Sequence, residues 1–210
     1  MDRPEARRVR ERGATLVFAL CLLVAILLLG VSAAQMALHG EKAARGERDR
    51  HIAFQAAEEA LMDAQHDIEG LPGLPGRSTV FAPDSAAGFA AGCKGEPGLC
   101  LPGASGAPPV WLSTDLGVAD SGTVAYGQFT GAAMQTGEVF LPFKKPRYMI
   151  ELLPFHPPGE EAGAPVDAPV GVPSGAGYLY RVTAIGFGAQ EDTQVVLQTY
   201  YRKQAPGEAP

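Results

Sequence analysis

Residues 14–40 read ATLVFALCLLVAILLLGVSAAQMALHG, and no charged side chain occurs from Gly13 through Gly40. A run of that length suits a membrane span, which needs roughly 20 apolar residues. Immediately before it lies a short basic head, MDRPEARRVRERG, whose five Arg oppose Asp2, Glu5 and Glu11 for a net +2. Immediately after it comes EKAARGERDRHIAFQAAEEALMDAQHDIEG, charged, rich in helix formers and free of proline. The three pieces read as a single helix with an apolar upper half and a soluble lower half. From Ala14 to Ile68 such a helix has 55 residues and a length of about 80 Å at 1.5 Å per residue. A domain built from the remaining residues needs no helix of that length for its own core. The apolar half therefore packs against lipid or against other helices of its kind.

The basic head fits retention on the cytoplasmic side, with everything beyond the span exported. An ordinary secretory signal is the competing reading, with Val31-Ser32-Ala33 as its cleavage site and a mature chain starting near Ala34. Its apolar core would be only about 7 to 15 residues, whereas this one is roughly twice as long. The helical pattern also runs straight through the would-be site.

The soluble half carries Phe54, Ala57, Leu61, Ala64 and Ile68 at three- and four-residue intervals, a stripe expected to lie against a globular domain. Glu41 precedes Arg45 by four residues, and Arg45 precedes Asp49 by four, so both pairs are expected on the exposed side. Gly40 and Gly46 each weaken the helix by about 1 kcal/mol relative to alanine, which marks a flexible stretch below the span. Leu71-Pro72-Gly73 is expected to end it.

The 210 residues carry a net charge of -6, and removal of the head would leave -8. An acidic chain without a basic patch argues against direct nucleic-acid binding. About 140 residues follow the helix, enough for one modest domain. Cys21 lies in the apolar run and reads as a small buried hydrophobe. Cys93 and Cys100 bracket CKGEPGLC, which in an oxidising compartment reads as a local disulfide. The metal reading needs two more ligands, and no second Cys pair or His cluster stands nearby.

Residues 69–110 contain 16 Gly or Pro and read as loop, with a short strand at Ser78–Phe81. Val110–Leu112 and Val124–Phe129 are weaker strand candidates, with Trp111 and Tyr126 as core or sheet aromatics. Arg147–Leu153 alternates, residues 154–177 hold 11 Gly or Pro and read as a long surface loop, and Tyr178–Gly186 and Thr193–Arg202 form an antiparallel hairpin. The expected fold is α+β, a long N-terminal helix whose amphipathic half packs on a small antiparallel sheet. The divisions are a leader at 1–13, an apolar helix half at 14–40, an amphipathic half at 41–69, a globular domain at 70–204 and a tail at 205–210.

No phosphate-binding loop, nucleophile elbow or HExxH motif occurs. His39, His51, His66 and His156 are scattered; Glu58 and Glu59 point in different directions from one helix, with Glu59 solvated, and Glu160 and Glu161 sit in the long loop. The chain reads as a non-enzyme that needs no cofactor and no metal.

A basic leader ending in Gly13, a small Ala14, an apolar helix and an amphipathic extension together resemble the class III signal of type IV pilins. More narrowly, RGATLVFALCLLVAILLLGVSAAQ followed by RDRHIAFQAAEEALMDAQ looks like the N-terminal module of PilX-type minor pilins. PRYMIELL and YLYRVTAIGFGAQEDTQVVLQTYYR are similar to that family's closing strands, and CKGEPGLC resembles its short cysteine loop. The resemblance implies a pilin-like fold, cleavage by a prepilin peptidase between Gly13 and Ala14, and N-methylation of Ala14. Most pilins carry a glutamate at the fifth mature position; here Phe18 stands there, a departure shared by PilX-type pilins and by the tip pseudopilin of type II secretion. The resemblance also implies partners: other minor pilins, the major pilin, the inner-membrane assembly machinery and a PilY-type tip adhesin. It implies residence in the inner membrane with a periplasmic domain, then in the pilus. The alternatives are a tip pseudopilin of a type II secretion system, usually larger and with a helical insertion, and a single-pass anchored periplasmic binding module that keeps its head.

Overall fold

The computed structural model describes residues 8–70, 72, 73, 76–82, 85–104, 106–119, 122–137, 140–154 and 178–203. The expected loop at 155–177 and the tail at 205–210 lie outside the described residues, as do residues 1–7 of the leader. The chain divides into two units, Met1–Arg48 and Asp49–Pro210.

The first unit is helical from Arg8 onward, within an element α1 that spans Arg8–Glu69. It contains a segment long and apolar enough to cross a membrane. Every residue from 14 to 48 is exposed, Leu16 to 73% and Phe18 to 70%. The hydroxyl of Ser32 is satisfied within the helix, donating to the Leu28 carbonyl at 2.9 Å. Gly40 and Gly46 do not interrupt α1, and open space surrounds the position where each would carry a Cβ.

In the second unit, residues 49–69 of α1 lie on a six-stranded sheet. Its strands are β1 (Ala90–Ala91), β2 (Leu99–Leu101), β3 (Val124–Ala125), β4 (Arg147–Pro154), β5 (Tyr178–Phe187) and β6 (Gln194–Tyr201). The order is β1-β2-β4-β5-β6, with β3 also paired to β4. The register aligns Ile150 with Val182 and Val182 with Thr199. Side chains alternate across the sheet. Tyr148, Ile150, Leu152, Tyr180, Val182 and Ala184 meet Ala60, Ala64 and Ile68 of α1 on one side. Met149, Ile185 and Phe187 meet Cys93, Cys100, Val110 and Leu116 on the other.

What brings α1 onto the sheet is the smallness of its contact face. Ala53, Ala57, Ala60 and Ala64 are fully buried, and Ala56 nearly so. On β5 the residue under them is Gly186, where an added Cβ would run into the Ala53 carbonyl oxygen and the Ala57 amide nitrogen. Volume is supplied around that contact by aromatic rings. Phe81 meets Tyr180 edge-on with centroids 5.5 Å apart and Phe89 at 5.9 Å. Such pairs add roughly 0.5 to 1.5 kcal/mol each beyond their area.

Several expectations are corrected. Phe54 is 40% exposed and Leu61 only half-buried, so the buried stripe is the alanine row with Ile68, and Phe54 stands on a neighbouring flank. A phenylalanine at the contact would hold the backbones too far apart. Asp49 does not pair with Arg45; it is buried and accepts from the Ala189 and Gln190 amides at 2.6 and 3.2 Å. Arg45 pairs with Glu41. α1 ends at Glu69, and the residue that closes it is Gly70, which takes φ +76° and donates to the His66 carbonyl at 2.8 Å, as a helix-ending left-handed glycine does.

Ser78–Val80 is a turn, not a strand. Val110–Leu112 belongs to a one-turn helix, α2 (Val110–Ser113), because the Val110 carbonyl collects the Thr114 amide and the Ser113 and Thr114 hydroxyls. β3 stops after Ala125, where Gly127 at φ +75° turns the chain. The sheet is mixed, since β1–β2 and β2–β4 pair in parallel. The long connection from β2 to β4 permits that direction, and strands of two and three residues leave no alternation to read.

Gly186→Ala is expected to destabilise the domain by roughly 2 to 3 kcal/mol through overpacking against helix backbone. Urea unfolding of the full chain in detergent micelles measures it, and an unchanged midpoint would contradict the close contact described.

Candidate functional site

The residues singled out by sequence fall in separate places. Gly13 and Ala14 are adjacent in α1 and Phe18 stands about one turn further on, all in the first unit, with Ala14 and Phe18 exposed. Cys93 and Cys100 are joined in a disulfide. Cys93 takes φ 57° after Gly92 at φ 63°, so the loop doubles back and delivers Leu99 and Cys100 to β4. Closing a loop of this size contributes about 2 to 3 kcal/mol in the chain-entropy account. Cys21 is free and exposed. Among the described residues no three of His, Cys, Asp and Glu converge on a point that could hold a metal ion.

The soluble half of α1 carries a polar seam that sequence reading missed. Three aspartates, Asp49, Asp63 and Asp67, lie buried among the alanines. Asp63 accepts from the Gly127 amide at 2.8 Å and from the Thr130 hydroxyl. Asp67 accepts from Arg77 Nε and Nη2 at 3.0 and 2.9 Å and from the Tyr148 hydroxyl at 3.1 Å. Arg77 also donates to the Pro97 carbonyl and lies 3.9 Å from the Phe129 ring centre. Each aspartate thus fastens a different loop to the helix: residues 189–190, 127–130 and 77–97. The available signal was aspartate at positions 63 and 67, one turn apart and inside the apolar stripe.

A second buried pair spans the sheet, where Arg181 meets Glu151 with two bonds of 2.7 and 2.8 Å. That hydrogen bond chiefly raises the Arg181 pKa. At the far end, Lys203 donates to the Ile68 and Ser78 carbonyls at 2.8 Å each, placing a cation on a carbonyl in the last turn of α1. Partial burial pushes that ammonium below its ordinary value. Tyr201 donates to Glu69, and burial together with this bond pushes the phenol up to about 12.

This geometry defines an α+β pilin-like layout: a long apolar N-terminal helix followed by a disulfide-bearing domain whose sheet is closed against the helix's own continuation. The comparisons agree with it. Residues 12–61 match the PilX N-terminal family model, and residues 96–203 match that of the C-terminal part of type IV pilus assembly protein PilX. The chain belongs to the PilX family of type IV pilus minor pilins. No curated protein and no solved structure matches it. The family is a structural component of the pilus that associates with other pilins, and the apolar helix is compatible with a membrane anchor.

The seam is titratable. Burial raises the Asp67 carboxyl above its ordinary 3.8, only partly offset by Arg77. Burial and the charge of Asp67 push the Tyr148 phenol well above its usual range. Because native Asp67 holds its proton more tightly than the unfolded chain does, its contribution is fully present below 3.8 and is lost as pH rises through the raised native value. Asp67→Asn replaces the titrating carboxyl with an amide of the same shape that stays neutral at every pH. The stability gap between wild type and D67N should widen as pH falls across that window. Unfolding titrations from about pH 7 to pH 3 test this, and a gap independent of pH would contradict it.

Proposed function

We propose that this chain primes type IV pilus assembly in complex with other minor pilins and ends at or near the filament tip, where it contributes to presenting a PilY-type adhesin. Phe18 carries this reading. It stands five residues after Gly13, where most pilins place a glutamate, and it leaves the apolar half of α1 without any carboxylate. A carboxylate buried in hydrocarbon is tolerated when it pairs with a charge, here the amine of a neighbouring subunit. A subunit with Phe18 offers no such carboxylate, yet its own Ala14 amine can still receive a neighbour's. One-sided pairing suits the beginning of a filament.

Prepilin peptidase cuts between Gly13 and Ala14 and methylates the new amine. Before assembly, the apolar half holds the chain in the inner membrane with its domain in the periplasm. Assembly machinery then extracts it, and the same half packs in the filament core. The exposed apolar surface of residues 14–40 supports both stages, since lipid before assembly and neighbouring helices after it would each cover such a surface.

Mass spectrometry of the mature amino terminus should find N-methyl-Ala14. Gly13→Val should leave the leader attached and abolish the chain's contribution to piliation. An uncleaved G13V chain that enters pili and supports normal piliation would sink the processing step. Phe18→Glu restores the second half of the pairing and should spread the subunit along the filament; immunogold labelling that stays at filament ends would argue against the one-sided role.

A further inference from the structure

The edge of the sheet at β6 is left open. Among the described residues nothing pairs with its outer side. Its sequence, QVVLQTYY, has no Lys, Arg, Asp, Glu, Pro or Gly. Proteins ordinarily blunt such an edge with charge, proline or a bulge, because eight unpaired backbone groups template another strand. β6 carries none of these devices, and its register with β5 is unbroken from Phe187↔Gln194 to Tyr180↔Tyr201.

The space beside that edge is also unfilled. α1 covers β4 and β5 more fully than β6, whose helix-side residues Val195, Leu197, Thr199 and Tyr201 are only half-buried. Glu58, Leu61 and Met62 stand over the gap and, with Thr199 and Tyr201, line an open groove of about 430 Å³. Phe54 falls on the same helix flank, four residues before Glu58 and seven before Leu61. Met62 is 52% exposed. A further strand laid against β6 would bring its alternate side chains under this flank.

The rim of the edge is acidic. Glu58 borders the groove, Glu69 holds the Tyr201 hydroxyl, and Glu191 and Asp192 are exposed in the turn that begins β6. Two cations follow the strand, Arg202 and Lys203, and Lys203 is committed to the Ile68 and Ser78 carbonyls. Pairing with a second copy of this chain would bring two acidic rims together.

We propose that β6 receives an extended, basic strand from a different polypeptide of the pilus, by main-chain pairing along its open edge. The bound strand's inward side chains fill the groove under Leu61 and Met62, and its cations meet Glu58, Glu69, Glu191 and Asp192. This inference rests on family membership and does not need the tip position.

The test places a benzophenone amino acid at Val196, which is 47% exposed, in the full-length chain in piliated cells, with Leu22 as a second position in the apolar helix. Irradiation at Val196 should yield an adduct with another pilus polypeptide, and peptide mapping should place the link in an extended segment richer in Lys and Arg than in Asp and Glu. Glu191→Lys with Asp192→Lys should lower the yield about fivefold by removing complementary charge. An adduct only with a second copy, an adduct on an acidic or helical segment, or a yield unchanged by the charge reversal overturns the proposal. So does loss of the Val196 adduct while Leu22 still cross-links to a pilin. Loss at both positions overturns it together with the filament role proposed above.

Discussion

The near-contact between the backbone of α1 and the backbone of β5 at Gly186 governs the rest of the domain. With no side chain between them, the helix sits so low on the sheet that alanine, at Ala53 and Ala57, is what fits directly over Gly186. Alanine buries little area, so the driving force for burial comes from the rings placed around the contact, Phe81, Phe89, Tyr148 and Tyr180. The hydrophobic contribution is therefore peripheral and the geometric constraint central. A larger residue at the centre would add area yet lift the helix away from every ring that now packs beneath it.

Close packing also explains why charge is buried here. Loops that cross near the helix bring backbone amides and an arginine within reach of its contact face, and aspartate is short enough to meet them there. Asp49, Asp63 and Asp67 tie three loops that otherwise hold little regular structure. Buried ionic groups of this kind add little to net stability; here they fix where three loops meet the helix. The disulfide performs a comparable task on the opposite side of the sheet, fixing the loop that supplies β2.

Much of this was legible in the sequence. The apolar run, the basic head and the long helix follow from charge and hydropathy, and β4, β5 and β6 follow from alternation over seven or more residues. The disulfide followed from two cysteines around a tight Gly- and Pro-rich loop. What escaped was set by tertiary contact. Phe54 and Leu61 share the spacing of the buried stripe and lie on its flank, because periodicity reports a face only to within about one residue's rotation. Asp67 looks like a surface residue until Arg77 and Tyr148 are known to converge on it. β1 and β2 are too short to carry a pattern, so their parallel pairing had no local trace. Phe18 was readable only by counting from Gly13.

The bond from Ala189 to Asp49 joins residues 140 positions apart, and the one from Lys203 to Ile68 joins residues 135 apart. Synthesis therefore completes the anchor and the alanine face long before the strands that cover them exist. Contacts of such separation form slowly, so the newborn chain passes through an interval in which its anchor is finished and its domain is not. During that interval an uncovered row of small residues, already tethered by a finished apolar helix, is available to any chaperone or sibling subunit nearby. The order of residues along the chain thus sets a schedule: attachment first, concealment last.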